Sequence, residues 1–425
     1  MKEPQTLRAD LLREANFRWL TGGGLISGLG DQFSMIALPW LVLTMTGSPL
    51  TMGLVIALMS IPRALLILVG GALVDRYSPK SILMLSKHCN ALLLFALAAM
   101  VLTDSVSMPA VYALAFGMGL ASAFSIPAGT SMLPHIVAAP QLPLANGILM
   151  GVRQLTVLSG PLLAALVFAL FGDGSGAGAH PMRGIGIAFG LDCFSFVFSA
   201  WTLSQVQLLQ APAKAAPEPI FKAIGAGLAM VWNDKALRVC MAYWALGALV
   251  VGGTMQVALP VLASTRLGGA TALGIMMGMH GVGSLGGMAL TGLFGKFRIG
   301  TFGATLLLFD AAAAILLIIM SGVQTTWQAG AFMLVLGLLG GFIQVGVFSW
   351  IQTRVPRPML GRMMSIFMFI FMGAPPIAAA VVGWLLQYAS LGQLFVGAGA
   401  FLLLAAVLAW LFTAIRQVTD APAPG

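Results

Sequence analysis

Gly70-Gly71-Ala72-Leu73-Val74-Asp75-Arg76-Tyr77-Ser78-Pro79-Lys80 is the stretch whose reading decides the fold of this chain. A long apolar run, 52–74, ends there abruptly in an acid–base pair, and a second apolar run starts at Ile82. Asp75, Arg76 and Lys80 are therefore expected in a short hinge between two hydrophobic helices.

Working outward, the same pattern recurs from end to end. The chain is 59% hydrophobic and 8% charged, against about a quarter charged in ordinary soluble domains. Runs of ~20 apolar residues suffice to cross a bilayer, and twelve are read, near 19–43, 51–74, 82–103, 108–130, 144–171, 184–209, 237–263, 271–295, 300–321, 327–353, 361–388 and 391–415. A soluble core cannot absorb that many. The polar–apolar alternation of a β-barrel is missing. The expected class is an all-α, multi-pass membrane protein. Its divisions are a cytoplasmic N-terminal segment 1–18, a six-helix bundle 19–209, a linker 210–236 rich in Pro and Lys, a second six-helix bundle 237–415 and a cytoplasmic tail 416–425. The first segment has no apolar core of a cleaved leader.

The net charge of +9 raises the question of nucleic acid, and the placement of the basic residues answers it. With the N-terminus inside, Lys2, Arg8, Arg13, Arg18, Arg76, Lys80, Lys214, Lys222, Lys235, Arg238, Lys296, Arg298, Arg354, Arg357, Arg362 and Arg416 all fall on the cytoplasmic side. Only Arg183 and Arg266 fall outside. This is the positive-inside bias of an inner (cytoplasmic) membrane protein, with both termini cytoplasmic and the bilayer, not nucleic acid, as partner. Lys87 is placed near a cytoplasmic helix end, where it can snorkel. Cys89, Cys193 and Cys240 are scattered in apolar runs and read as small core residues. The four His residues show no metal-ligand spacing, and no cofactor or catalytic constellation is implied.

The halves read as repeats. Ala37-Leu38-Pro39 in span one matches Ala258-Leu259-Pro260 in span seven, and Pro161 with Ala164-Ala165 matches Pro376 with Ala379-Ala380. The 70–80 stretch resembles the signature loop of the major facilitator superfamily, with Ser78 and Pro79 in place of that family's second Gly and following Arg. Asn16-Phe17-Arg18, Gly30-Asp31, Ala37-Leu38-Pro39-Trp40, Pro127-Ala128, Leu133-Pro134, Ala145-Asn146, Gly160-Pro161 and Leu360-Gly361-Arg362 resemble the branch holding macrolide efflux and enterobactin exporters. The resemblance implies the major facilitator fold, with twelve transmembrane helices in two pseudo-symmetric six-helix bundles that rock about a midplane site. It implies a transporter of small molecules that works as a monomer, and not an enzyme. The expected activity is proton-coupled efflux of a drug, macrolide or siderophore. The alternatives are a lipid or lysolipid transporter, uptake of an anionic solute, and a membrane sensor or scaffold.

Among the residues, Asp31 is the expected proton carrier. It lies near the middle of span one, and an intramembrane acid is functional by default. Gly24, Ser27, Gly28, Asp31 and Ser34 form a small, polar stripe at helical spacing. Arg63 and Arg153 also lie inside spans. They either join Asp31 in a cluster of net charge +1 or form structural pairs, Arg153 with Asp192. Asp192 and Asp310 are assigned to the scaffold. Gly71, Asp75, Arg76, Lys80, Gly361 and Arg362 form the expected cytoplasmic gate. There Asp75 meets the N-terminus of span eleven, which attracts an acid, and Arg76 and Lys80 meet acids or headgroups. The substrate cavity is expected to add Gln256 on span seven, Gln344, Phe348 and Gln352 on the Gly337–Gly341 stripe of span ten, and Met368 on span eleven. Adaptable Met side chains suit a large apolar or amphipathic substrate. Gly281-Val282-Gly283-Ser284-Leu285-Gly286 fits a dinucleotide fingerprint by letter, but inside an apolar span it reads as helix packing.

Overall fold

The computed structural model describes residues 11–76, 78–138, 141–172, 182–208, 220–294, 298–356 and 359–419. Among these residues all regular structure is helical. In lipid no water can satisfy a backbone amide or carbonyl, so each crossing must satisfy its own groups, which a helix does.

The crossing helices are α1 (Ala15–Thr46), α2 (Pro49–Arg76), α3 (Pro79–Leu102), α4 (Met108–Ala123) continued by α5 (Ser125–Met132), α6 (Leu142–Phe171) and α7 (Arg183–Gln205). After them come α8 (Ile220–Asn233) and the crossing helices α9 (Lys235–Leu267), α10 (Ala270–Phe294), α11 (Phe302–Met320), α12 (Thr326–Arg354), α13 (Leu360–Leu385) and α14 (Leu391–Phe412). Among the described residues twelve helices are long and apolar enough to cross a membrane, and the chain is a multi-pass membrane protein. The linker is not featureless: it holds α8, an amphipathic helix that the run of Pro and Lys concealed.

Local chemistry sets the helix ends. Thr325 and Ser390 form capping boxes with Gln328 and Gln393. Asp234 caps α9 by accepting from the N–H groups of Ala236 and Leu237. Gly268, at φ 84°, ends α9 in the left-handed region open to glycine. Pro39, Pro62, Pro161, Pro260, Pro375 and Pro376 all lie inside helices.

The chain divides into two compact units, Met1–Met45 with Leu58–Glu218, and Thr46–Ala57 with Pro219–Gly425. Helix α2 thus contributes to both. In the first unit α3 packs on α7 and on α4–α5, and α6 packs on α7. Its core joins Phe17, Leu83, Met132, Leu133, Ile136 and Leu203. In the second unit α10 pairs with α12, α11 with α14, and α13 with α9 and α8. There Trp244 meets Trp350 edge-on at 5.8 Å and Phe302 stacks on Trp350 at 5.9 Å. The indole of Trp350 donates to the carbonyl of Thr419 (3.1 Å), so the start of the tail is fastened to the unit.

Small residues allow the closest approaches. A Cβ on Gly283 or Gly287 would collide with the carbonyls of Leu334 or Leu338, and one on Gly337 or Gly341 with those of His280 or Ser284. The dinucleotide-like letters are helix packing. The outer surface is apolar, with Leu92 69% and Phe412 78% exposed, as contact with hydrocarbon demands.

Candidate functional site: a charge cluster among four helices

Helix α1 has two faces. Gly23, Ser27, Gly30 and Ser34 are buried, whereas Gly24, Asp31 and Met35 are exposed and Gly28 is half-buried. The stripe expected from the sequence is therefore split. Ser27 and Ser34 turn inward, away from Asp31. The absence of side chains at Gly23 and Gly30 lets α7 press close. A Cβ on Gly30 would collide with the carboxylate of Asp192 and the hydroxyl of Ser195, and one on Gly23 with the hydroxyl of Thr202.

Into that seam α7 inserts Asp192, which is 1% exposed. Ser34 donates to its Oδ2, and Ser195 donates to its Oδ1 at 3.1 Å. From α3 comes Lys87, 8% exposed. Its ammonium donates to Ser199 Oγ at 2.6 Å and Ser27 Oγ at 3.3 Å, and lies 5.6 Å from the centre of the Phe196 ring. Lys87 does not snorkel to a helix end. Two hydroxyls, from Ser27 far upstream and Ser199 far downstream, replace the water it leaves, which is what a buried cation requires.

Asp31 stands on the open face of α1, at the midpoint of a 32-residue helix. Lys87 and Arg63 are the cations that act on it, and Asp192 is within electrostatic reach of both Asp31 and Lys87. Arg63 sits midway along α2. The cluster thus holds two acids and two bases drawn from α1, α2, α3 and α7. Its formal charge is zero with all four ionised, rather than the +1 expected from Asp31, Arg63 and Arg153. The side chain of Arg153 is exposed on α6 and makes no ion pair among the described residues. The expected pair with Asp192 does not form, because the Gly30 seam sets that carboxylate against α1. The sequence offered one signal for Lys87: a lysine inside the span read at 82–103, a full turn past its start.

The remaining expected residues distribute as follows. Lys80 donates to the carbonyls of Ser204 (3.0 Å) and Val206 (2.7 Å) at the end of α7. Its partners there are carbonyls rather than an acid, because a helix C-terminus leaves carbonyls without partners and attracts a cation. Gly71, Asp75 and Arg76 lie on α2 and Gly361 on α13, but as gate residues their surroundings lie outside the described residues. Arg362 contacts the Met359 sulfur at 3.4 Å. On α12 the stripe splits again. Gly337 and Gly341 are buried against α10, whereas Gln344 and Gln352 are exposed. Phe348 meets Phe367 edge-on at 5.1 Å, and Met368 packs beside the aromatic core. Gln256 keeps a buried side-chain oxygen without a hydrogen-bond partner among the described residues. Asp310 lies beside the Tyr243 hydroxyl, without a well-formed hydrogen bond to it.

Away from this layer, Asp234 at the start of α9 accepts from Arg354 Nε at 2.8 Å and Nη2 at 3.1 Å. Burial pushes the Asp234 carboxyl up. The Arg354 hydrogen bond, the Leu237 N–H, the charge of Arg354 and the Ala236 N–H together outweigh it, and the group lies below its ordinary range.

Twelve helices able to cross a membrane among the described residues, with charged side chains gathered midway along them, are the features of a transporter-type membrane protein. The sequence matches the description "Major Facilitator Superfamily" over residues 20–375, and the chain belongs to that superfamily. It is 27% identical over 414 residues to the "Multidrug efflux pump Tap" of Mycolicibacterium fortuitum, covering 94% of this chain and 96% of the relative. It is 24% identical over 351 residues to the "Enterobactin exporter EntS" of Escherichia coli O1:K1, covering 82% and 80%. The fold is similar to a crystal structure of a bacterial homologue of the iron transporter ferroportin in an inward-facing state. That match has a TM-score of 0.70 at 19% identity and covers 93% of this chain and 98% of the other. The chain is a transporter of small molecules and not an enzyme.

Proposed function

We propose that this chain exports hydrophobic or amphipathic small molecules, drug- or siderophore-like, in exchange for protons across the inner membrane, with Asp31 as the proton-carrying group. The observation that carries the reading is the placement of Asp31. It is the exposed member of a charge cluster whose other carboxylate, Asp192, is sealed in. An acid on the exposed face of α1, faced by Lys87 and Arg63, has two stable states. Ionised, it is balanced by the two cations. Protonated, it releases their hold. Alternating access to the two sides then moves a proton one way for each substrate moved the other. The names of the two relatives, an efflux pump and an exporter, support the outward direction for the substrate.

The anionic-solute alternative loses support, because within the cluster Asp192 and Asp31 match Lys87 and Arg63, and Arg153 stands apart from it. Asp75 closing the cytoplasmic side, cytoplasmic termini and a working monomer belong to the same reading. The test uses proteoliposomes loaded with a pH dye and an imposed substrate gradient, across a panel of drugs and siderophores. Native protein is expected to move protons. Asp31→Asn, with its fold checked by gel filtration, is expected to move none. Substrate flux with no proton signal, unchanged in Asp31→Asn, would overturn the reading.

A further inference from the structure

Helix α11 carries an acid that the charge cluster does not use. Asp310 is the ninth of its 19 residues, so it lies midway along a crossing helix, where an ionisable side chain marks a functional position by default. At about 3.6 residues per turn, Leu308, Ile315 and Ile319 fall on the opposite side of the helix, and they are 39%, 48% and 48% exposed. That side meets the hydrocarbon. Asp310 is half-buried, and its remaining accessible surface faces away from the lipid.

The carboxyl makes no ion pair among the described residues, and the neighbour that acts on it is Tyr243 of α9. Tyr243 is 8% exposed. Its hydroxyl is sealed from solvent and has no well-formed hydrogen bond among the described residues, yet it lies beside this acid. The elements packed around α11 bring no charge to this level. Helix α14 holds no ionisable residue. The charged residue of α12 is Arg354, which Asp234 takes up, and those two are also the charges that act on Cys240 of α9. Arg298 lies 5.1 Å from the centre of the Phe302 ring, and the carbonyl of Arg416 accepts from Thr301. Both therefore stand at the start of α11, and Phe302 precedes Asp310 by ~12 Å along the helix axis.

We propose that Asp310 and Tyr243 form a second proton-binding site, within the second unit and separate from Asp31. A carboxylate in apolar surroundings must be neutralised, by a cation or by a proton. Among the described residues no cation acts on Asp310, so the proton takes that part. A tyrosine hydroxyl serves both states of the acid, since it donates to the carboxylate and accepts from the carboxylic acid. A lysine in its place would hold the carboxylate ionised. The role in transport rests on the exchange reading above: the cycle turns on Asp31, and each turn carries a second proton on Asp310. This takes Asp310 out of the scaffold to which the sequence assigned it.

Two measurements on the full chain test the site. Infrared difference spectroscopy across an acid-to-alkaline pH jump reads the carbonyl stretch of protonated carboxyls and needs no transport. Native protein is expected to show a band that Asp310→Asn removes. Tyr243→Phe, which keeps the acid, is expected to shift that band to the higher frequency of a carboxyl without a hydrogen bond. The proteoliposome assay then reads protons moved per substrate. Asp310→Asn, with its fold checked by gel filtration, is expected to lower that ratio about twofold while alternating access continues, whereas Asp31→Asn stops the exchange. A spectrum of Asp310→Asn identical to that of native protein, a band unmoved in Tyr243→Phe, or an unchanged ratio in Asp310→Asn would overturn the proposal. Native protein that moves substrate without protons would overturn the exchange reading instead, and the infrared bands would still decide the site.

Discussion

Replacing Lys87 by methionine tests the charge cluster most directly. Methionine keeps the length of the stem, so the packing of the aliphatic part is largely preserved and no large cavity opens. What is lost is the ammonium. It donates to Ser199 Oγ at 2.6 Å, a short contact, and to Ser27 Oγ at 3.3 Å, a long one. A hydrogen bond to a charged group contributes ~1.5–3 kcal/mol. Removing it also leaves Asp31 facing Arg63 alone and Asp192 without a cation, and stripping one partner from a buried charged set costs ~3–5 kcal/mol. The two figures describe overlapping losses and are not summed, so the expected destabilisation is ~3 kcal/mol. Adding Asp192→Asn removes the carboxylate left without compensation and keeps one acceptor oxygen for either Ser34 or Ser195, the other hydroxyl being able to accept from the amide NH2. The double variant is then expected to recover ~1–2 kcal/mol, a coupling typical of residues in one network. The assay is reversible unfolding in mixed micelles, followed by tryptophan fluorescence on native protein, both single variants and the double. Native-like stability in Lys87→Met would refute the reasoning. Strict additivity would refute the coupling of Lys87 to Asp192 even if each single variant were destabilised.

Glycine substitution separates the two faces of α1. Gly30→Ala places a methyl against Asp192 and Ser195 and is expected to cost ~1–3 kcal/mol by overpacking. Gly24→Ala, with nothing within 4 Å of the added Cβ, is expected to be neutral or stabilising by ~0.5–1 kcal/mol; equal effects in the same unfolding assay would contradict the seam. The Asp234–Arg354 pair makes a pH prediction. Because the folded-state carboxyl lies below its ordinary range, its contribution is fully present above the unfolded value of about 3.9. It is lost as pH falls through the lower folded value. Arg354→Gln is expected to remove ~1 kcal/mol of stability near neutral pH and to flatten the fall between pH 5 and the acid limit. An acid limb identical to that of native protein would show that the pair does not link to protons.

Much of the architecture was legible in the chain because a crossing helix is a local object. Its length is set by bilayer thickness and its backbone bonds close within the segment, so ~20 apolar residues in a row predict it wherever they occur. The Gly283–Gly286 letters could be discounted on the same ground, since a phosphate-binding turn needs a strand before it. Helix α8 escaped because only one of its faces is apolar. A run-length reading sees Pro and Lys around it and not the period that places Leu228 and Trp232 together.

The sequence by itself determined that this is a membrane protein of twelve crossings, that it resembles one transporter superfamily, and that Asp31 and Arg63 lie deep within spans. Those conclusions need only the cost of placing charge and open backbone in hydrocarbon, a property of each segment alone. Tertiary structure alone decided which charges share a site. Lys87 became a buried member because Ser27 and Ser199 supply acceptors from two other helices. Arg153 stayed outside because its helix turns it away. Asp192 entered because Gly23 and Gly30 let α7 close on α1. Rotation about a helix axis selects the neighbours of every polar side chain, and that rotation is set by packing against the other helices, not by the apolar run in which the residue sits.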